Sequence, residues 1–469
     1  MSSHKIDIEK IREIEKIDFT NPSAKVEILN LIESLCQIII KQNDEIQMLK
    51  DEINRLKGEK GKPEIKPKKE ELEKPKIEII NPVTEKKAWK KSNKKDKVKI
   101  DRIEIVELDK NGLPADIEFK GYEDKIVQNI IVKTDNVLYR KEKYYSASEG
   151  KTYTAEIGGG MDETSYGTET KALISSLYYE NRVTENKIAS FLNANGLYIS
   201  EGTISNILIK EESESLTEIK DEIFTAGIES SIYQQIDDTG MRIAGANGYA
   251  TIIGNERYSV FFINLSKSRE TVMTFLTAFL ASLFIVLVGD DAPQFKKIAK
   301  RYALCWVHEE RHYKKMNPIL ESHKEELEEI RACIWGYYDK LQDYKENPTE
   351  EQKKKLWDEF DELFLQKTGY DDLDERLALT YEKKTELLTV LDYPEVPLHN
   401  NLSENGLREM VIKRKISGGV ETDEGRKAWE NNMSILATCK KLGVSFYDFM
   451  KEVFSKKISI HLPTLIHQP

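Results

Sequence analysis

The stretch SIYQQIDDTGMRI, Ser231 to Ile243, decides how this chain is read. Ile232, Gln234 and Ile236 alternate with Ser231, Tyr233 and Gln235, a β-branched and aromatic run that predicts a strand. The strand is expected to end in Asp237–Asp238–Thr239–Gly240. Adjacent carboxylates repel one another unless a cation or a set of hydrogen-bond donors compensates them. Alone, the stretch reads most simply as a polar turn after a strand. A second stretch changes that reading. Phe284–Ile285–Val286–Leu287–Val288–Gly289 is continuously apolar, as a buried central strand is, and it stops at Asp290–Asp291. Two buried strands that each deliver an aspartate to their exit point to a metal site.

Working outward, TIIG (251–254) and YSVFFINL (258–265) predict two further strands, on short connections at Gly248 and Asn255–Glu256. A helix over Arg269–Leu280 is expected to cross to the Asp290 strand. Another over Gln294–Arg301 leads to a strand at Ala303–Leu304–Cys305–Trp306–Val307. Three strands, helix, strand, helix, strand is the order of an RNase H-like mixed α/β domain, in which strands one and four end side by side. A helical insertion follows over about Glu309–Leu391, with Lys/Glu pairs at helical spacing. In EVPLHNNLSENGLREMVIKRKISGG, Asn401 or Ser403 can cap a helix over Glu404–Val411, which puts Glu404 in its first turn. Arg408, Lys413, Arg414 and Lys415 make this the most basic short helix of the carboxy-terminal half. The tail, AWENNMSILATCKKLGVSFYDFMKEVF, predicts a helical hairpin broken at Gly443.

Toward the amino end, Ile32, Ile39, Ile46 and Ile53 fall seven apart, with Ile28, Leu35, Gln42, Leu49 and Leu56 in the companion register. Ile at one seam and Leu at the other favours a parallel two-stranded coiled coil; an amphipathic helix packed on its own protein is the other reading. A Lys/Glu/Pro-rich connector follows, whose second half, around Trp89, could rest on a DNA backbone or serve as a solvated tether. IDRIEIVEL, ADIEFKGYE, KIVQNIIVKT and VLYRKEKYYS predict hairpin strands. Thr184 and Ser200 can cap two short helices around Gly196, a helix-turn-helix pattern with Gly202, Thr203, Ser205 and Asn206 free to meet DNA, although such helical hairpins also occur in proteins that never touch it. The expected architecture is therefore multidomain α+β. It comprises a coiled-coil oligomerisation helix (1–57), a charged flexible linker (58–97), a small β-rich module (98–160) and a helix-turn-helix-like DNA-binding region (161–225). An RNase H-like catalytic domain (226–308 and 392–418) is interrupted by the helical insertion (309–391), and a helical tail (419–469) closes the chain.

At 469 residues the chain is too long for a single core. Its net charge of −11 argues against nucleic acid as a partner only if charge is evenly spread, and here it is segregated. The four cysteines form no Cys-x-x-Cys pair, so neither a disulfide framework nor a zinc ribbon is expected and a reducing cytosol is the natural compartment. MSSHKIDIEKIREIEK lacks an apolar core, so no signal peptide is expected. The apolar stretch from Thr271 to Val288 is read as helix, turn and strand, and no membrane span is expected.

Four stretches together resemble bacterial transposases of the insertion sequence 66 family. They are YGTETKALISSLYYENRVTENKIASFLNANGLYISEGTISNIL, IDDTGMRI, ALCWVHEERHYKK, and LHNNLSENGLREMVIKRK with the helical tail. The likeness covers about residues 140–455, and the Asn-Asn-x-x-Glu-x-x-x-Arg run is its most specific piece. It implies a catalytic triad of two aspartates and a glutamate, carried here by Asp237, Asp290 and Glu404; Asp290 is preferred to Asp291 because it directly follows the apolar strand. Asn400, Asn401 and Arg408 match motif positions, as do Cys305, Trp306, His308 and Arg311.

The implied activity is metal-dependent phosphodiester cleavage and strand transfer at the ends of an insertion sequence; the alternative is an inactive, domesticated transposase that only binds DNA. Such in-line displacement is served by two divalent ions on hard oxygen ligands, so two Mg²⁺ (or Mn²⁺) ions on the three carboxylates are expected. The expected partners are double-stranded DNA, as transposon ends and target, and a second copy or more through the coiled coil. A cytoplasmic, nucleoid-associated location follows. The expected DNA contacts are Thr203, Ser205, Asn206, Arg311, Asn400, Asn401, Arg408, Lys413, Arg414 and Lys415. Three departures stand out: His399 where many relatives have an aspartate, Glu310 in place of an arginine, and no cysteine between Cys36 and Cys305, where many relatives carry a zinc segment.

Overall fold

The computed structural model describes residues 24–56, 98–108, 118–157, 165–277 and 286–468. The chain divides into two units, one of Met1–Glu45 with Thr134–Pro469 and one of Ile46–Lys133. The expected linker over 58–97 lies outside the described residues. In the smaller unit, residues 98–108 and 118–133 form no strand, and nearly all are exposed. Alternation such as IDRIEIVEL makes a strand only where a partner covers its apolar face. Of the β-rich module expected over 98–160, the described residues contain one hairpin, β1 (Lys143–Ser146) with β2 (Lys151–Thr154).

Helix α1 (Ala24–Leu56) turns two different edges outward and inward. Ile32, Ile39, Ile46 and Leu49 are 42–53 % exposed. On its other edge Asn30, Leu31 and Glu33 are buried against the larger unit. The buried edge answers to an amphipathic helix packed on its own protein, while the exposed edge carries the heptad isoleucines.

The helical region holds α2 (Thr168–Ser175), which runs into a π turn at Ser176–Glu180, then α3 (Glu185–Ala194), α4 (Glu201–Ile209) and α5 (Ser213–Glu229). Gly196 turns the chain between α3 and α4 at φ +85°. Ser200 caps α4, its hydroxyl accepting the Thr203 amide at 3.1 Å. Ile188, Leu192, Ile204, Ile207 and Leu208 are buried, which closes the α3–α4 pair against the core.

One mixed sheet follows: β3 (Tyr233–Ile243), β4 (Ala246–Gly254), β5 (Ser259–Asn264), β6 (Val286–Gly289) and β7 (Arg301–Leu304), in the spatial order β5-β4-β3-β6-β7. β3–β4 and β4–β5 are antiparallel, whereas β3–β6 and β6–β7 are parallel. Helix α6 (Arg269–Thr277) precedes β6. Three expectations need correction. β3 does not end at Asp237 but runs on to Ile243, and the turn to β4 is at Ala244–Gly245, with φ +46° and +75°, rather than at Gly248. The helix expected over 294–301 is a single 3-10 turn at Pro293–Phe295, followed by Lys297 at φ +62°, a conformation no α-helix admits. β7 ends at Leu304, so Trp306 opens a helix instead of extending the strand.

That helix, α7 (Trp306–Lys314), begins the insertion, continued by α8 (Glu321–Glu346), α9 (Glu350–Phe364) and α10 (Asp371–Tyr381). These helices enclose a core of their own, in which the Trp306 ring meets Tyr337, Phe360 and Phe364. The inner edge of α1 is bolted here. Glu33 accepts the Ile319 and Leu320 amides at 2.7 and 2.9 Å at the start of α8, and Asn30 bonds Gly369 O and the Asp371 amide at the start of α10.

The chain returns to the sheet as α11 (Asn401–Ser417), then α12 (Asp423–Leu442), α13 (Phe446–Phe454) and α14 (Leu462–Ile466). α11 starts three residues earlier than expected, with Asn400 at its N-cap. Gly419 lies against β3, where a Cβ would stand 2.5 Å from Arg242 O, which lets Val420 bridge to Ile243. α12 covers the sheet's β5 edge by a matched spacing. Four residues of helix and two of strand both advance about 6–7 Å. Thr438, Ser434 and Glu430 accordingly accept the amides of Ser259, Phe261 and Ile263 at 3.3, 2.9 and 2.7 Å. An edge that would otherwise offer bare donors is closed. No described helix is long and apolar enough to cross a membrane.

Candidate active site

The register of β3 against β6 creates the site. Their parallel pairing ends with Gln235 opposite Val288. Two residues further along each chain stand Asp237 and Asp290. β6 stops there, while β3 continues, still paired to β4 with Asp237 opposite Ile252. The sheet therefore opens a notch beside Asp237. Gly289 forms its floor: a Cβ there would lie 2.5 Å from the Tyr302 hydroxyl, which donates to Asp290 O at 2.5 Å.

The acidic side chains separate by their partners. Asp237 accepts only a local bond, its Oδ1 taking the Asp238 amide at 2.8 Å. Burial pushes its carboxyl up to about 7; that amide opposes the rise, and the charges of Asp290, Asp238 and Glu404 add to it. Asp290 accepts the Ala292 amide at 3.1 Å. Among the described residues neither has a basic side chain within ion-pair distance. Their sequence neighbours do. Asp238 takes Gln294 Nε2 at 2.6 Å and lies 3.9 Å from Lys267. Asp291 is held by Lys296 at 2.5 Å and Lys383 at 2.7 Å; burial alone would raise its carboxyl, but these two cations hold it below the usual range.

Glu404 enters from α11, and two contacts fix where that helix begins. Asn400 Nδ2 donates to Ile236 O at 2.9 Å, and the Leu402 amide donates to Gln235 Oε1 at 3.2 Å. The carboxylate itself is engaged with α7. Arg311 Nη2 lies 3.2 Å from both Glu404 oxygens, and His308 Nε2 is 3.3 Å from Oε1. Arg311 Nη1 is 3.0 Å from the same imidazole nitrogen. Burial keeps His308 below its ordinary value, with Glu404 opposing and Arg311 assisting.

Three carboxylates thus share one electrostatic neighbourhood, since Asp237 feels both of the others. Their donor atoms are hard oxygens, right in kind for Mg²⁺ or Mn²⁺. Yet among the described residues no group of three or more His, Cys, Asp or Glu side chains is gathered closely enough to hold a metal ion. Asp237 and Asp290 suit a cation; Glu404 is turned to Arg311.

Several motif residues serve the frame. Cys305 and Trp306 are buried where insertion and sheet meet. The Cys305 amide bonds Gly289 O at 3.0 Å, its sulfur accepts the Asn400 amide at 3.3 Å, and the Trp306 amide bonds Leu398 O at 3.0 Å. Glu310, the departure from the family's arginine, is buried against Arg331 of α8. His399 is half-buried, and burial lowers its imidazole.

Two expected DNA contacts are corrected. Asn400 is fully buried as the strap to Ile236. Lys413 is also buried: its Nζ donates to Tyr178 O at 2.8 Å and sits over the Tyr178 ring. A helix must turn one face inward, and Lys413 shares that face with Leu407 and Met410. Asn206, Asn401, Arg408 and Lys415 are exposed, and Thr203, Ser205, Arg311 and Arg414 are partly so. Thr203 and Ser200 share a hydroxyl contact at 2.9 Å. The sequence reading missed Gln235, Gln294 and Tyr302. Gln235 and Gln294 were visible only as polar residues beside the acidic pairs, and Tyr302 gave no signal.

Comparison with known proteins places the chain in the transposase class. Residues 163–428 match the model of the Transposase IS66 family. The chain belongs to that family. It is also similar to an uncharacterised protein, y4jO, of Sinorhizobium fredii (strain NBRC 101917 / NGR234), at 41 % identity over 165 residues. That match takes in 35 % of this chain and 51 % of the relative, so the chain spans about half the length of the curated relative it matches.

Proposed function

We propose that the protein is a DNA transposase that cleaves and rejoins phosphodiesters at the ends of an insertion sequence, using Asp237, Asp290 and Glu404 on an RNase H-like domain. The observation that carries this reading is the β3–β6 register. It sets two aspartates that have no basic partner among the described residues side by side at a notch in a β5-β4-β3-β6-β7 sheet, within the field of a glutamate that arrives 114 positions after Asp290 in the sequence. Their sequence neighbours Asp238 and Asp291, by contrast, each have a lysine within 4 Å.

Asp237, Asp290 and Glu404 would together hold the two Mg²⁺ or Mn²⁺ ions. Bound there, the ions would activate the attacking oxygen and neutralise the leaving one. The chain's own part is positional. Burial around Asp237 keeps water from screening the carboxylates, and the Asn400 strap keeps α11 at the notch. The exposed face of α11, with Arg408 one turn beyond Glu404, and Lys415 further on, would lie along the DNA backbone. The α3–α4 pair would supply a helix-turn-helix contact through Asn206 and its neighbours. The exposed Ile32–Ile39–Ile46 stripe of α1 would pair with a second copy as a coiled coil.

The test is cleavage of a duplex carrying the element's ends, with Mg²⁺ or Mn²⁺. Asp237→Asn and Glu404→Gln should each abolish cleavage while leaving duplex binding intact. Unimpaired cleavage by either variant refutes the assignment.

A further inference from the structure

Of the three carboxylates assigned to the site, Glu404 is the one that has basic side-chain partners among the described residues. Glu404 has both oxygens taken by a single guanidinium nitrogen of Arg311, whereas Asp237 and Asp290 have only backbone amides. Arg311 is itself held in place: His308, one helical turn before it on α7, receives its second nitrogen at 3.0 Å. Among the described residues no three ligands converge. The guanidinium is not walled in, since its side chain is 43 % exposed against 20 % for Glu404.

We propose that Arg311 is a positioning residue that works as a latch, holding Glu404 against α7 so that the metal site beside Asp237 and Asp290 stays incomplete until the ion pair is broken. The inference deepens the metal-site reading above and rests on it. Its physical content is competition for one carboxylate. A divalent ion at the Asp237–Asp290 notch and the Arg311 fork both want Glu404, so part of the ion's binding energy is spent on opening the pair. The device has a use in an enzyme that cuts DNA, because a site assembled only against resistance is not poised to cut wherever a metal ion is present. Once Glu404 leaves, the Arg311 guanidinium, already at the surface, is free to take a phosphodiester oxygen.

Mn²⁺ alone is the probe, and its affinity for the full chain, read by electron paramagnetic resonance of the free ion, is the measurement. Arg311→Gln should tighten Mn²⁺ binding about two- to five-fold, the range set by a partly exposed ion pair. Deleting a positive charge near a cation site would do something similar by its field alone, so a double-mutant cycle decides. With the latch, the gain disappears in a Glu404→Gln background, because no carboxylate remains to be released. A gain of equal size in that background overturns the latch and leaves a simple field effect. Weaker binding by Arg311→Gln overturns it too, and would make Arg311 a support for Glu404 in the assembled site. Asp237→Asn separates the latch from its premise: it should lose the Mn²⁺ site, and if it binds Mn²⁺ as well as the wild type, or if no variant binds at all, the metal-site reading falls and the latch with it.

Discussion

Lys413→Met asks whether a lysine drawn into the fold has given up its charge. Lys413 is 1 % exposed; its Nζ lies 3.1 Å from the centre of the Tyr178 ring and 5.4 Å from those of Tyr179 and Trp429. Burial pushes the ammonium from its ordinary 10.5 down to about 7, with Glu185 opposing and Arg182 assisting. The folded-state value lies below the unfolded one. Between about pH 7 and 10.5 the unfolded chain therefore holds a proton that the folded chain does not, and stability rises with pH across that window. At about 1.36 kcal/mol per unit, the lysine costs the folded state roughly 5 kcal/mol at most below pH 7, and nothing above 10.5. Methionine keeps the stem and carries no charge. The variant should be the more stable protein at pH 6.5, by less than that ceiling, because it forfeits the hydrogen bond to Tyr178 O and the ring contacts. The slope is the sharper test. Urea unfolding followed by tryptophan fluorescence should show the variant's advantage shrinking by about 1.4 kcal/mol per pH unit between pH 7 and 9.5. A difference that stays flat over this range refutes the reasoning: Lys413 would then keep its proton inside the fold, held by the rings. Duplex binding gives a second reading. Lys413→Met should bind as the wild type does, whereas Lys415→Gln should lower the salt slope of binding by about 1.

Three further changes test the frame. Asn400→Ala removes the strap to Ile236 O and should cost about 1–3 kcal/mol, with cleavage falling further than stability because Glu404 loses its placement; equal losses in both would make Asn400 structural only. Ser434→Ala with Thr438→Val bares the amides of Phe261 and Ser259 on the β5 edge; about 2–4 kcal/mol of destabilisation and faster exchange of those two amides are expected, and unchanged protection would mean another group covers the edge. Glu33→Ala should release the inner edge of α1 from α8, at about 1–3 kcal/mol, seen as faster exchange at Ile319 and Leu320. Burial works to raise Glu33, but those two amides outweigh it and hold the carboxyl below its ordinary 4.5. The stabilisation is therefore present above 4.5 and lost as pH falls through the lowered folded value, and Glu33→Ala should lack that acid-sensitive step.

How far the sequence could be read depended on the range of the interaction involved. Periodicity and capping are local, so the α3–α4 pair, its Gly196 turn and the hairpin broken at Gly443 stand where the residues suggested. The order of the strands around Asp237 was legible for the same reason, although the helix expected over 294–301 is only a 3-10 turn. Pairing is not local. IDRIEIVEL alternates as well as any strand in the protein and forms none among the described residues, whereas Ala246–Tyr249, with little alternation to show, joins β4 because β3 lies beside it. The basic run on α11 failed as a list of contacts because the helix has an inside: Lys413 goes in, while Arg408 and Lys415 stay out. Nor could spacing reveal that Arg311 meets Glu404 across 93 positions of sequence.

That separation raises the question of how a chain with a long insertion brings α11 back beside β3. Leaving after β7 and returning before α11, the chain must bring Glu404 back to a notch defined by β3 and β6. Cys305 and Trp306 close this detour at its neck. Cys305 is bonded to Gly289 at the end of β6 and to Asn400 at the start of α11, and Trp306 is bonded to Leu398 through its amide and to Leu387 through its indole at 2.9 Å. One position on the sheet and three on the returning chain are thereby held at two adjacent residues, and the Trp306 ring is also a member of the insertion's core. The helices of the insertion can vary in length without moving Glu404 so long as this neck is intact. Cys305 and Trp306, two of the matching motif positions, are on this argument the pin that fastens insertion to sheet.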